Sequence, residues 1–135
     1  MSTIKELQKR AFQQSTDKGF HDNEPEVGTP YWVEHDSMKI ALMHSELTEA
    51  LEELRNGHHP NLTYYSGLIE YPTGAQLLDG TPLDGKPEGV PSELADAVIR
   101  IMDYCEARGI DLQASIIEKL DYNATRSRMH GGKKF

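Results

Sequence analysis

The chain of 135 residues is 37% apolar and 27% charged, a balance typical of one globular domain that buries its own core. No apolar run approaches the roughly 20 residues that span a bilayer, so no membrane segment is expected. The formal net charge of −8 argues against binding of a nucleic-acid polymer, although divalent cations can still bring a nucleotide to an acidic site. The single cysteine, Cys105, permits no internal disulfide and favours a cytoplasmic location with a buried thiol.

Four helical segments, separated by turn residues, are predicted in chain order. The first, over residues 3–18, opens with the capping-box spacing of Thr3 and Glu6 and ends before Gly19. The second, over residues 34–56, carries an apolar stripe at helical spacing that we expect to lie in the core. The residues of this stripe are Ile40, Met43, Leu47, Leu51 and Leu54.

Residues 57–90 are predicted to form a long irregular insert, because they hold six glycines and four prolines. Two Asp-Gly pairs, at Asp79 and Asp84, are compatible with a small hairpin inside it.

The third and fourth helices follow the insert. The third begins at Pro91 and ends near Arg108, and the fourth is capped by Asp111 and runs to about Arg126. Residues 127–135 form a basic tail. The whole chain, residues 1–135, is expected to be one domain.

Carboxylates gather on one face of the second helix. An α-helix turns by about 100° per residue, so Glu46, Glu49 and Glu53 project together. The third helix repeats the pattern with Glu93 and Asp96, which are three residues apart. Carboxylates this close repel one another unless a cation lies between them, and hard oxygen ligands suit Mg²⁺, Mn²⁺ or Ca²⁺. The pattern therefore predicts a metal site built from both helices.

The fourth helix and the tail supply the opposite charge. Lys119, Asn123 and Arg126 share a helix face, and the tail adds His130 and Lys133 on either side of two glycines. Groups of this kind hold phosphate oxygens. An acidic metal site together with a basic face is the complement that a metal–polyphosphate substrate requires.

A plainer interpretation stays open, because a single Glu-x-x-Glu pair on a helix is usually a solvated surface. On that interpretation the chain is a helical interaction module, which accounts for the apolar stripes but not for polar faces of complementary sign. A di-iron carboxylate bundle is disfavoured, because it requires Glu-x-x-His pairs and no glutamate here is followed by a histidine three residues later.

Taken together, these segments resemble the MazG-like all-α nucleoside triphosphate pyrophosphohydrolases. The resemblance rests on "SELTEALEEL" (45–54), "SELADAVIRIMDYCEARGIDL" (92–112) and "EKLDYNATRSRMHGGKKF" (118–135), with weaker support from "DKGFHD" (17–22). The family's Glu-x-x-Glu and Glu-x-x-Asp motifs correspond here to Glu46–Glu49 and Glu93–Asp96. The insert is longer than the family's usual gap between these motifs, which leaves substrate choice and oligomer contacts open.

The resemblance implies a fold, a reaction and a cofactor. The expected fold is an all-α, four-helix MazG-like bundle, completed by self-association as a dimer or tetramer, with the insert between the two acidic helices. The expected reaction hydrolyses a (deoxy)nucleoside triphosphate between the α and β phosphates, giving monophosphate and pyrophosphate. The metal would be Mg²⁺, replaceable by Mn²⁺, with two or more ions per site. Its expected ligands are Glu46, Glu49, Glu93 and Asp96.

The candidate residues have expected roles. Glu49 is the first candidate for the general base, and Glu53 is the second. The residues expected to hold the nucleotide's phosphates and sugar are Lys119, Asn123, Arg126, His130 and Lys133. Trp32 either stacks on the base or anchors the start of the second helix in the core. His58 and His59 are expected to lie in a solvated loop.

The base and sugar of the substrate stay open. Guanine nucleotides are one candidate, as in some phage relatives of the family. The alternative is a phosphoribosyl-ATP or a dUTP/dCTP-type pyrophosphohydrolase of the same architecture. Any of these reactions would adjust a nucleotide pool or remove unwanted nucleotides.

Overall fold

The structure is a computed structural model that describes residues 1–66 and 85–127. Within those residues the chain is mostly helical, which is compatible with the all-α prediction. The elements are α1 (Ile4–Asp17), α2 (Trp32–Arg55), β1 (Tyr64–Ser66), β2 (Lys86–Glu88), α3 (Val90–Ala107) and α4 (Leu112–Ala124). The short strand pair, at the two ends of the insert, was not part of the all-α prediction. The hairpin considered at Asp79 and Asp84 lies outside the described residues.

The helices begin and end close to where the local sequence predicts. The Thr3 hydroxyl accepts a hydrogen bond from the Glu6 N–H at 3.1 Å, and the Glu6 carboxylate accepts one from the Thr3 N–H at 3.1 Å. This is the predicted capping box. Asp111 caps α4 by accepting from the Ala114 N–H at 3.0 Å. Helix α2 begins two residues earlier than predicted, so Trp32 is its first residue.

The chain forms two compact units. One contains residues 1–24 and 102–135, and the other contains residues 25–101. The expectation of one domain over residues 1–135 stays a prediction.

In the unit of residues 1–24 and 102–135, α1 packs against α4. Gln8 of α1 is 4% exposed, and its amide donates to the Glu106 carboxylate at 2.8 Å and to the Ile110 carbonyl at 2.9 Å. These bonds satisfy a polar group that would be costly to bury alone. Cys105 is buried as predicted, and burial raises the pKa of its thiol.

His21 is held at both ring nitrogens by carboxylates of the same unit. Its Nδ1 donates to Glu24 at 2.5 Å, and its Nε2 donates to Asp103 at 2.7 Å. Burial by itself would lower the pKa of His21, but the hydrogen bonds with Asp103 and Glu24 outweigh burial and the pKa is raised. The imidazole of His21 therefore links the segment after α1 to the last part of α3.

In the unit of residues 25–101, the strand pair leads directly into α3. Strands β1 and β2 are antiparallel, with Tyr64 opposite Glu88. The next residue, Gly89, has a φ of +111°, and a β-carbon there would lie 2.2 Å from the carbonyl oxygen of Leu62. Only glycine fits this approach. The segment before β1 is therefore in direct backbone contact with the residue that precedes α3.

The apolar stripe of α2 is not the buried face, so that prediction was wrong. Its members Ile40, Leu47, Leu51 and Leu54 are between 41% and 52% exposed, and only Met43 is buried. The buried face of α2 is lined by Asp36, Met43, Glu46 and Ala50. That face lies roughly 60° around the helix from the exposed stripe. The buried side of α2 is the side that carries Glu46, whose carboxylate bonds to Arg100 of α3.

Exposed apolar side chains also occur on the other helices. Leu94 and Val98 of α3 are 45% and 50% exposed, and Leu120 of α4 is 61% exposed. No helix in the described part of the chain combines the length and apolar character needed to cross a membrane.

We predict that Gly89→Ala destabilises the protein far more than Gly28→Ala. Both glycines have positive φ, at +111° and +88°, but no described atom lies within 4 Å of a β-carbon built on Gly28. Gly28→Ala should therefore cost about 1 kcal/mol of backbone strain. Gly89→Ala adds a clash with a carbonyl oxygen, so it should cost about 2 kcal/mol more.

Urea unfolding of both variants, followed by circular dichroism, measures the difference. Equal free energies of unfolding for the two variants would contradict the close approach of Gly89 to Leu62.

Candidate metal centre

Three glutamates of the unit of residues 25–101 lie together and form the acidic cluster, defined as Glu46, Glu49 and Glu93. One carboxylate oxygen from each lies within 4.8 Å of the other two. Helix α2 presents the first two on one side because they are three residues apart. Glu93 comes from the first turn of α3. The structure thus brings together three of the four residues that the sequence pattern selects as metal ligands.

Glu93 is the most buried member of the cluster, at 5% exposed. Its Oε2 has no hydrogen-bond partner among the residues that the structure describes. Burial raises the pKa of Glu93 to about 7, and the hydrogen bond and negative charge of Glu49 and the charge of Asp96 add to the effect. Glu93 therefore keeps a proton up to near neutral pH in the metal-free protein. A buried carboxylate oxygen without a donor is costly, and a cation would remove that cost.

Glu46 is also buried, at 8% exposed, and it bonds to the opposite helix. Its Oε1 accepts a hydrogen bond from the Arg100 Nε at 2.6 Å. Charge-assisted bonds of this kind are strong because the donor and the acceptor are both ionised. Arg100 therefore holds Glu46 in place and compensates part of the negative charge of the cluster.

Asp96 lies beside the acidic cluster, although it does not belong to the closest group of three. Burial raises the pKa of Asp96, and the charge of Glu46 acts in the same direction, while Lys86 and Arg100 act against them. The Asp96 carboxylate is thus near enough for the negative charge of the cluster to raise its pKa. A role for Asp96 as metal ligand stays a prediction.

Lys86 is a neighbour of the cluster that sequence reasoning missed. It is the first residue of β2, and its charge lowers the pKa of both Glu93 and Asp96 against the larger effects that raise them. The helical period could not identify it, because it lies on a strand outside both acidic helices.

Glu53, the second candidate for general base, is engaged by two other side chains. Its carboxylate accepts from the His58 Nδ1 at 2.5 Å and from the Tyr64 hydroxyl at 2.8 and 3.0 Å. The His58 bond first, and then the Tyr64 bond, lower the pKa of Glu53. The hydrogen bond with Glu53, together with burial, raises the pKa of Tyr64 to about 12. Of the two candidates for general base, Glu49 is therefore favoured over Glu53, and a base role for either stays a prediction.

His58 departs from the expectation of a solvated loop. It is half-buried, and its ring centroid lies 5.1 Å from that of Tyr64 in an edge-on arrangement. The adjacent His59 is exposed, as expected. The available signal was the position of His58 just beyond the end of α2, five residues after Glu53, which places it within reach of that carboxylate.

The candidate phosphate-binding residues lie in the unit of residues 1–24 and 102–135. Lys119 and Asn123 are exposed on α4, and Arg126 is exposed just after its end. The Lys119 ammonium lies 5.3 Å from the centroid of the Tyr122 ring. Their contact with a nucleotide stays a prediction.

Three further candidates are less informative. Trp32 is half-buried as the first residue of α2, so base stacking and core anchoring both stay open. His130 and Lys133 lie outside the described residues, and their predicted phosphate contacts stay predictions.

Comparison of the chain with protein-family models, with curated proteins and with solved structures finds no match. The likeness to MazG-like enzymes therefore stays a resemblance of motifs.

We predict that Glu93 makes the metal-free protein less stable as the pH rises. The pKa of Glu93 in the folded protein is about 7, above its ordinary value of 4.5. Its contribution to stability is therefore fully present below about pH 4.5 and is lost as the pH rises through about 7. Glu93→Gln is neutral throughout, so its stability relative to the wild type should increase between about pH 5 and pH 8.

Denaturant unfolding in EDTA at both pH values measures this change. Glu52→Gln is the control, because Glu52 of α2 is exposed and pairs across the helix surface with Arg55 at 3.1 Å. If Glu93→Gln and Glu52→Gln show the same pH dependence, the raised pKa of Glu93 is wrong.

Proposed function

We propose that the chain is a divalent-metal-dependent nucleotide pyrophosphohydrolase of the MazG-like type. The reaction splits a (deoxy)nucleoside triphosphate between its α and β phosphates into monophosphate and pyrophosphate. One observation carries the proposal: the acidic cluster holds a buried Glu93 oxygen without a donor among the described residues. A bound cation would compensate this buried oxygen. Polyphosphates are the substrate class that binds together with a divalent cation and reacts with its help.

The donor set of the cluster fits a hard divalent cation. Glu46, Glu49 and Glu93 offer carboxylate oxygens only, which suit Mg²⁺ or Mn²⁺ better than softer metals. Asp96, whose pKa is raised in part by the charges of Glu46 and Glu49, is the proposed fourth carboxylate ligand. When bound, the ion would supply Lewis acidity and would offset the negative charge of ligands and phosphates.

Glu49 is the residue that we assign to proton transfer. It is the exposed member of the cluster, so water and a nucleotide can reach it, whereas Glu46 and Glu93 are buried. In the proposed reaction a water oxygen forms the new bond to phosphorus, and its proton passes to Glu49. The bond that breaks joins the attacked phosphorus to the oxygen that bridges the α and β phosphorus atoms, and that oxygen leaves with the other product. Arg100, beside Glu46, keeps a positive charge at the site throughout.

Phosphate binding is assigned, from the resemblance of motifs alone, to residues outside the unit that holds the acidic cluster. Lys119, Asn123, Arg126, His130 and Lys133 would hold phosphate oxygens and offset the charge of the leaving pyrophosphate. Trp32 would contact the base. Guanine nucleotides remain one candidate substrate, and phosphoribosyl-ATP or dUTP and dCTP are the alternatives.

Self-association is part of the proposal. The exposed stripe of α2 places four large apolar side chains on one face, and members of the family that the chain resembles are dimers or dimers of dimers. A second copy of the chain would remove this apolar surface from water. The same stripe also supports the non-enzyme alternative, a helical interaction module. The interaction-module alternative does not explain why Glu93, a carboxylate with a raised pKa, lies buried in this cluster.

We predict that Glu49→Ala lowers the rate of pyrophosphate release by at least about 100-fold, because it removes both a metal ligand and the proposed base. Glu52→Ala is the matched control, since Glu52 lies three residues further along α2, is exposed and takes the same substitution. Its rate should stay within about twofold of the wild type.

The rates are measured with Mg²⁺ and each common nucleoside and deoxynucleoside triphosphate, by separating the products. If Glu49→Ala keeps a rate within tenfold of the wild type, the assignment of Glu49 as metal ligand and base is wrong. Equal losses in Glu49→Ala and Glu52→Ala would point to a defect of α2 as a whole.

We predict that Leu47→Lys combined with Leu51→Lys converts the assembly to monomers. These side chains are 49% and 52% exposed in the single chain, and charges there would be buried without partners in an interface. Met38→Lys is the control, because Met38 is 50% exposed on the opposite side of α2. Light scattering after gel filtration gives the mass. A wild-type monomer, or an unchanged mass for the double variant, contradicts assembly through this stripe.

A further inference from the structure

A group of three hydrogen-bonded side chains closes the end of α2. It is called the Glu53 triad here and consists of Glu53, His58 and Tyr64. Both oxygens of the Glu53 carboxylate accept hydrogen bonds, from His58 at 2.5 Å and from Tyr64 at 2.8 and 3.0 Å. The triad therefore fastens the first part of the insert to α2, one helical turn beyond Glu49.

The strand pair extends this connection towards α3. Tyr64 is the first residue of β1, and it lies opposite Glu88 of β2 in the antiparallel ladder. Strand β2 ends at Glu88, and α3 begins two residues later at Val90. If Tyr64 moves away from α2, strand β1 moves with it, and the paired strand β2 shifts the start of α3, the helix that carries Glu93.

Two further contacts make the connection stiff. Gly89 lies against the Leu62 backbone so closely that no side chain fits between them. The Ser92 hydroxyl, in the first turn of α3, donates to the Pro87 carbonyl of β2 at 3.0 Å. The first turn of α3 is therefore tied both to the strand and to the segment before β1.

We infer that the Glu53 triad is a positioning device for the acidic cluster: it sets the separation between Glu46 and Glu49 on α2 and Glu93 on α3. The inference rests on the proposed metal centre and adds residues to it. Metal sites need their ligands held in place by neighbouring hydrogen bonds, and loss of such support weakens affinity. The ends of the long insert therefore belong to the architecture of the metal centre.

A positioning role and a chemical role for Glu53 make opposite predictions. If Glu53 positions, its two hydrogen bonds matter and its charge does not. Glu53→Gln keeps an oxygen that accepts from Tyr64, and its amide can donate to the Nδ1 of His58 when that ring carries its proton on Nε2, whereas Glu53→Ala keeps neither bond. If Glu53 is a metal ligand or a base, Glu53→Gln and Glu53→Ala fail alike, and Tyr64→Phe has little effect.

The experiment is a titration with Mn²⁺ alone, followed by electron paramagnetic resonance, which reports free Mn²⁺ and needs no nucleotide. Tyr64→Phe and Glu53→Ala should bind Mn²⁺ about tenfold more weakly than the wild type, while Glu53→Gln should stay within about threefold. Tyr65→Phe is the matched control, because Tyr65 is the next residue of β1, points to the other face and is 45% exposed. Its affinity should equal that of the wild type.

Circular dichroism at the titration temperature establishes that each variant is folded, so that a lost fold is not taken for a lost affinity. Equal affinities of Tyr64→Phe and Tyr65→Phe overturn the positioning role, as does a Glu53→Gln affinity as weak as that of Glu53→Ala. A wild-type protein that binds no Mn²⁺ overturns the proposed function and this inference together. A wild type that binds Mn²⁺ while all variants bind equally well overturns this inference alone.

Discussion

Mutual repulsion between carboxylates is the constraint on which the rest of the site depends. Glu46 and Glu93 are buried, and an oxygen of each lies within 4.8 Å of the exposed Glu49. Three negative charges in so small a volume cannot persist without compensation. The metal-free chain compensates with Arg100 against Glu46, and with a pKa of about 7 that keeps a proton available to Glu93. A divalent cation could replace both the proton and part of the role of the arginine.

The surrounding structure keeps this unfavourable arrangement in place. Helix α2 fixes Glu46 and Glu49 by its period, and the position of Glu93 depends on where α3 begins. That start follows β2 and Gly89, which in turn are held by β1 and by the end of α2. Local order around the cluster thus comes from backbone pairing and hydrogen bonds more than from a large apolar core. The leucines of the α2 stripe lie about half exposed in the single chain and are not part of this support.

Sequence reasoning succeeded where the answer depends on neighbours along the chain. The capping box of Thr3 and the cap at Asp111 are local, and so is the grouping of carboxylates on α2 by the helical period. It failed where the answer depends on distant residues. The bonds of His58 and Tyr64 with Glu53 require the insert to fold back on α2, and the pairing of β1 with β2 joins segments about twenty residues apart. The burial of the leucine stripe was mispredicted, because periodicity identifies an apolar face without saying what covers it.

Phosphorus NMR of the wild-type protein with Mg²⁺ and a panel of nucleoside and deoxynucleoside triphosphates tests the central claim most directly. The account predicts resonances of monophosphate and pyrophosphate from at least one nucleotide, with no reaction when EDTA removes the metal. The ranking of rates would then identify the base and sugar. Diphosphate and inorganic phosphate as products would contradict the proposed bond. Absence of reaction with every nucleotide, together with absence of Mg²⁺ binding, would contradict the metal centre itself.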